Sequence, residues 1–233
     1  MRDDQTDRSK PQEVPVHLSG RDEPIGSPVY QAMLAFAAAP TDAPGAVHLG
    51  AAVRHLNALV AGCAATDGEL EEIATAVDGL TQLLKPYAES SRYPVGDRLS
   101  GHLGLFVNHP VIGALNPCAP PLVVDPDGPR LIGTATYGTP FEGPAGFVHG
   151  GHIAAGFDSM VVMTAGINGR AGPTRSLTIR YRRPAPLAVP LVYVGDVEST
   201  ADHSTIVRVV LRHGDAVCAE CTGDVATRRR PQQ

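Results

Sequence analysis

Phe141-Glu142-Gly143-Pro144-Ala145-Gly146-Phe147-Val148-His149-Gly150-Gly151-His152-Ile153-Ala154-Ala155-Gly156-Phe157-Asp158 is the stretch whose reading decides the fold. A Gly-rich approach runs into His-Gly-Gly, then into an apolar helical pattern carrying one carboxylate nine residues after His149. A helix that starts at the two glycines offers free backbone N–H groups at its positive end, a place suited to developing negative charge. On ordinary helical geometry the residues three and four from Asp158 are Ala154, Ala155, Val161 and Val162, all apolar. An acid so surrounded is either a buried misfit or a base tuned by its setting, and we read it as the second.

Working outward, the apolar pattern runs from about 150 to 167 and closes at Asn168-Gly169. Before it, residues 122–132 read as strand, tight turn, strand, with Asp125-Pro126-Asp127-Gly128-Pro129 supplying the turn and the second strand reaching Tyr137. After it, period-two alternation predicts strands at about 174–183, 190–200, 204–213 and 216–227. Their short connections favour antiparallel neighbours. One long helix wrapped by one antiparallel sheet is an α+β architecture.

The N-terminal part reads differently. Residues 1–25 are polar and proline-bearing and read as a disordered tail. A short helix is expected at 28–39. Two stronger patterns follow, at 45–65 (Val53, Leu56, Leu59, Val60) and 68–89 (Leu70, Ile73, Val77, Leu80, Leu84), with Pro86 ending or bending the second near its end. The division is a tail over 1–25, a helical appendage over 26–95 and a compact domain over 96–228.

Hydrophobic residues make up 43% of the 233 and charged residues 18%, ordinary values for a water-soluble chain. The net charge of −5 is uneven: residues 1–100 carry eight basic and fourteen acidic side chains, residues 101–233 eleven and ten. The C-terminal part is the better home for an anionic ligand, but its excess is too small for nucleic acid. No apolar run suggests a signal or a membrane span, so the expected location is cytoplasmic. Cys218 and Cys221 form a C-x-x-C pair, yet on a strand residues three apart face oppositely, so buried thiols are expected rather than a metal or redox pair.

Two blocks together resemble the hotdog-fold acyl-CoA thioesterase superfamily, in its phenylacetate-type and thioesterase-superfamily-member branch. The first is Gly143 to Gly151 followed by Asp158. The second is Thr174-Arg175-Ser176-Leu177-Thr178-Ile179-Arg180-Tyr181-Arg182-Arg183-Pro184-Ala185-Pro186-Leu187. They are similar to the family's H-G-G-x6-D and T-x-x-L-x-I-x-Y-x-R-P segments in order and spacing, over roughly residues 105–227. The resemblance implies a homodimer or dimer of dimers that hydrolyses acyl-CoA, with no cofactor, no metal and no nucleic-acid or membrane partner. It implies Asp158 as general base or nucleophile, Gly150 and Gly151 polarising the thioester carbonyl, His149 ordering that turn and Thr174 holding the water.

Other roles stay open at this level. Arg180, Arg182 and Arg183 either meet the phosphates of coenzyme A or form a solvated strand face, and Asn116 reaches the thioester or does not. His152, where relatives carry a small residue, lines the entrance or is exposed. Phe157, Met160 and Met163 suit an aliphatic or an aromatic acyl group. Arg228–Arg230 read as a soluble tail. The competing function is a non-catalytic acyl-CoA-binding, sensor or assembly module. A retained acid beside a Gly-Gly turn favours catalysis over that reading.

Overall fold

The computed structural model describes residues 44–88, 109–120, 122–170 and 172–226. The readings for residues 1–25, 28–39 and Arg228–Arg230 lie outside these. Two helices precede the domain: α1, Pro44–Ala61, and α2, Asp67–Ala88. α1 stops four residues before the expected end because a new helix start follows at once. The backbone N–H and hydroxyl of Thr66 both donate to Glu69 Oε2, at 2.8 and 2.6 Å. That is half of a capping box, and it sets the first turn of α2. α2 runs past Pro86 for two residues, since a proline in the last turn removes only one ladder bond.

The six strands are β1 Val123–Asp127, β2 Arg130–Thr136, β3 Thr174–Tyr181, β4 Pro190–Ala201, β5 Ser204–His213 and β6 Ala216–Ala226. They form one antiparallel sheet in the order β1-β2-β4-β5-β6-β3. The first hairpin is tight, as expected. β1 continues through Asp127, which pairs with Arg130, and only Gly128 and Pro129 make the turn, Gly128 at φ 61°. Pro126 is tolerated within β1 because β1 is an edge strand.

The central helix α3, Gly150–Ile167, lies on this sheet with ten of its eighteen residues buried. It closes where expected: Asn168 Nδ2 donates to Thr164 O at 2.8 Å, and Gly169 takes φ 73°. Its depth is set by glycines. A Cβ on Gly156 would collide with the Tyr193 hydroxyl, and one on Gly223 of β6 would collide with Val161. Beneath Gly156 the hydroxyls of Tyr137 and Tyr193 bond each other at 2.7 Å, both rings fully buried. Burial pushes the Tyr137 phenol up to about 12 and raises Tyr193 well above the ordinary phenol value, so both stay neutral at working pH.

Cys218 and Cys221 are both buried and free. The expected alternation is interrupted here: the β5–β6 register shifts between Leu211 and Arg212, leaving Cys218 without a ladder partner. Burial, with a smaller contribution from Asp158, pushes the Cys221 thiol up to about 11. A thiol with raised pKa holds less thiolate at pH 8 than a free one. Cys63 and Cys118, both exposed, are therefore expected to alkylate rapidly in the native protein and Cys218 and Cys221 only on unfolding, as counted by mass spectrometry. Gly156→Ala is expected to cost about 1–3 kcal/mol in urea unfolding, since neither tyrosine has room to retreat.

Candidate active site

The approach to α3 is knotted to the second motif block. Val148 N–H donates to Ala185 O at 2.8 Å, Leu187 N–H to Gly146 O at 3.0 Å, and His149 N–H to Phe141 O at 2.8 Å. Glu142 Oε1 accepts from Gly146 N–H at 2.6 Å, and Gly146 sits at φ 80°, where a side chain is disfavoured. These bonds explain why the two blocks occur together in one chain: each supplies backbone partners to the other.

His149 caps the helix. Its Nδ1 accepts from Gly151 N–H at 3.0 Å, which in the neutral ring places the proton on Nε2. The expectation for the two glycines divides accordingly. Gly151 N–H is already taken within the chain, whereas Gly150 N–H meets no acceptor among the described residues. The carbonyl of Gly150 is held from the other side by the Tyr181 hydroxyl at 2.8 Å. Tyr181 belongs to the second block, yet sequence reading gave it no role. Gly150 is thus held at its carbonyl, while its own N–H, part of the preceding peptide, meets no acceptor among the described residues.

Asp158 lies on the face of α3 turned away from the sheet and is exposed within the single chain. The burial expected from its apolar neighbours is not supplied by this chain, because Ala154, Ala155 and Val162 share that outward face, all only half-buried. One carboxylate oxygen is held: Thr174 Oγ1, at the first residue of β3, donates to Asp158 Oδ1 at 2.7 Å. The other oxygen of the carboxylate remains available for chemistry.

A loop at 109–120 approaches the same acid. Val111 N–H donates to His109 Nδ1 at 3.2 Å. Burial lowers the pKa of half-buried His109, and the charge of Asp158 acts against that shift, so the two groups sense each other. Sequence reading missed His109, which stands 49 residues from Asp158 with no motif around it. The loop is braced by α1. Arg54 Nε donates to Ala119 O, and its Nη2 to Ala114 O and Asn116 O, each at 3.0 Å. Asn57 Nδ2 adds a bond to Pro117 O at 3.4 Å, and Gly50 lets α1 approach Leu115.

Several expected residues sit elsewhere. Asn116 Oδ1 accepts from Cys118 N–H at 2.9 Å, so its side chain shapes its own turn. Arg182 is bound to Glu220 Oε2 by Nε at 3.0 Å and Nη2 at 2.8 Å, with Arg208 on the other oxygen, which spends its charge inside the chain. Arg180 and Arg183 are exposed. His152 is exposed with its ring edge-on to Phe141, centroids 5.0 Å apart. Phe157, Met160 and Met163 are core residues against the sheet, at most 3% exposed.

Residues 145–220 match the family model described as the thioesterase superfamily. A crystal structure of a thioesterase superfamily protein is similar at 28% identity and TM-score 0.70, covering 78% of this chain and 90% of that one. A phenylacetic acid degradation-related protein from Ralstonia eutropha matches at 21% identity and TM-score 0.42, over 46% of this chain and 84% of that one. A protein from Streptococcus mutans, whose crystal structure holds acetyl CoA, matches at 20% identity and TM-score 0.44, over 47% of this chain and 90% of that one. The described domain is an antiparallel hotdog sheet with its helix, preceded by a helical region.

The brace on the 109–120 loop is open to test. Arg54→Ala leaves three carbonyls without their cationic donor and is expected to lower stability by about 1–3 kcal/mol. Amide exchange at Gly113, Asn116 and Ala119 should accelerate with it, and unchanged exchange would show that the loop holds itself.

Proposed function

We propose that the chain hydrolyses acyl-CoA thioesters to the free acid and coenzyme A, with Asp158 as general base. The observation that carries this reading is the pairing of a carboxylate held by Thr174 with an N–H at the start of the same helix that meets no acceptor among the described residues. Thioester hydrolysis needs an activated water and a stabilised oxyanion, and these two features supply one each. Asp158 takes a proton from water, and the water oxygen adds to the thioester carbonyl carbon. The Gly150 N–H and the helix dipole receive the developing oxyanion. Collapse of the tetrahedral intermediate breaks the C–S bond and expels the coenzyme A thiolate, which recovers the proton. Tyr181 and His149 keep the first turn in place throughout.

A second copy completes the site in this reading. β3 is an edge strand, and five of its eight residues are exposed. An open edge is a template for another strand. Pairing β3 with the β3 of a partner would cover the outward face of α3 and shut bulk water away from Asp158. Arg180 and Arg183 are then the cations left for the phosphates of coenzyme A. Four cysteines without a disulfide fit work in a reducing cytoplasm.

The test is thiol release from acyl-CoAs of short, long and aromatic acyl groups. Asp158→Asn is expected to lower kcat by about 10²–10⁴ with the circular dichroism spectrum and mass unchanged. Thr174→Val should lose about 10–100-fold, the worth of one hydrogen bond to a charged group, and Thr174→Ser should recover most of it. Binding of acyl-CoA without any turnover would instead assign a sensor or carrier.

A further inference from the structure

α2 carries an apolar seam that the described protein leaves open. Leu70, Ile73, Val77, Leu80 and Leu84 follow one another at alternating steps of three and four, the spacing of a heptad seam. Leu70, Ile73, Leu80 and Leu84 are 41–57% exposed, and Leu83 beside them is 69% exposed. A face of this size along about 33 Å of helix is a contact surface rather than a scatter of single apolar residues. α1 does not cover it. The face of α1 bearing Gly50, Arg54 and Asn57 is committed to the 109–120 loop, and α1 and α2 do not pack along one another.

We propose that α2 pairs antiparallel with α2 of a second copy. The heptad period calls for a helix of the same period, and a two-fold axis supplies one by making the patch self-complementary. Charge sets the direction. Asp67, Glu69, Glu71 and Glu72 crowd the first turns, and Lys85 lies in the last. Parallel helices would set four carboxylates against four, whereas antiparallel helices bring each acidic end beside the partner's Lys85 and oppose the two macrodipoles. In this register Ile73 packs across from the partner's Leu84, and Val77 across from the partner's Leu80. Ala74, Ala76 and Thr81, which flank the middle of the seam, carry no charge, and Asp78 is the one carboxylate between Ile73 and Leu84. This contact is separate from the β3 edge and does not rest on the hydrolytic reading.

The experiment places spin labels on the outward side of α2 in the full chain. Gly68→Cys and Thr75→Cys are made separately with Cys63 and Cys118 replaced by serine, and distances between copies are read by pulsed electron resonance. Antiparallel pairing offsets the two labels along the axis by about 10 Å at position 75 and about 32 Å at position 68. The distance at 68 is therefore expected to exceed that at 75 by roughly 10–15 Å, and Ile73→Glu with Leu80→Glu should abolish both. Equal distances at the two positions would mean parallel pairing and overturn the proposal. The absence of any distance between copies, which would mean the seam is covered within its own chain, would overturn it equally. Distances that persist in the double glutamate variant would place the contact elsewhere.

Discussion

The depth at which α3 sits on the sheet is the constraint on which the rest depends. Gly156 lets the helix descend onto the Tyr137–Tyr193 pair, and Gly223 lets β6 come up beneath Val161. With the helix that close, its rotation is no longer free, because Gly156 and nine side chains lock into the core. Asp158 then has to lie on the outward face, level with Thr174 at the start of β3. The placement of the acid is thus a consequence of packing, and no polar interaction of its own has to hold it there. The Thr174 bond adds only the orientation of the carboxylate.

The start of the helix is governed by a second set of bonds that are almost wholly backbone. The 141–149 approach and the 185–187 segment exchange N–H and carbonyl partners, and His149 and Tyr181 add one side chain each. The result is an asymmetric pair of glycines. Capping withdraws Gly151 from any role as a donor to a ligand, and the same cap steadies the peptide that leaves Gly150 open. In the proposed reaction, a histidine at this position would therefore serve the oxyanion without touching it. α1 extends the scaffold further, since Arg54 gathers the loop that carries His109 towards Asp158.

Much of this was legible in the sequence, and the reasons differ by element. Strands and the central helix are long and strongly periodic, so their positions follow from alternation and from the apolar run that ends at Asn168-Gly169. Asp158 and Thr174 stand in two recognisable blocks, and the structure joins them at 2.7 Å. What could not be read were contacts between segments far apart in the chain. The bond of Arg182 to Glu220, the turn that occupies Asn116, the approach of His109 and the burial of Phe157, Met160 and Met163 all depend on tertiary placement, for which local pattern carries no signal. The burial of Asp158 was misread for a related reason. Apolar neighbours on a helix indicate a buried face, but they do not say whether the same chain or a second copy covers it.

The most direct test of the account is a crystal structure with a non-hydrolysable acyl-CoA analogue in place. The account predicts the analogue's carbonyl oxygen about 3 Å from the Gly150 nitrogen, with the free oxygen of Asp158 facing the carbonyl carbon across one water. Gly151 should still be bonded to His149. A carbonyl oxygen seated on another donor, or an Asp158 turned away from the acyl carbon, would contradict it.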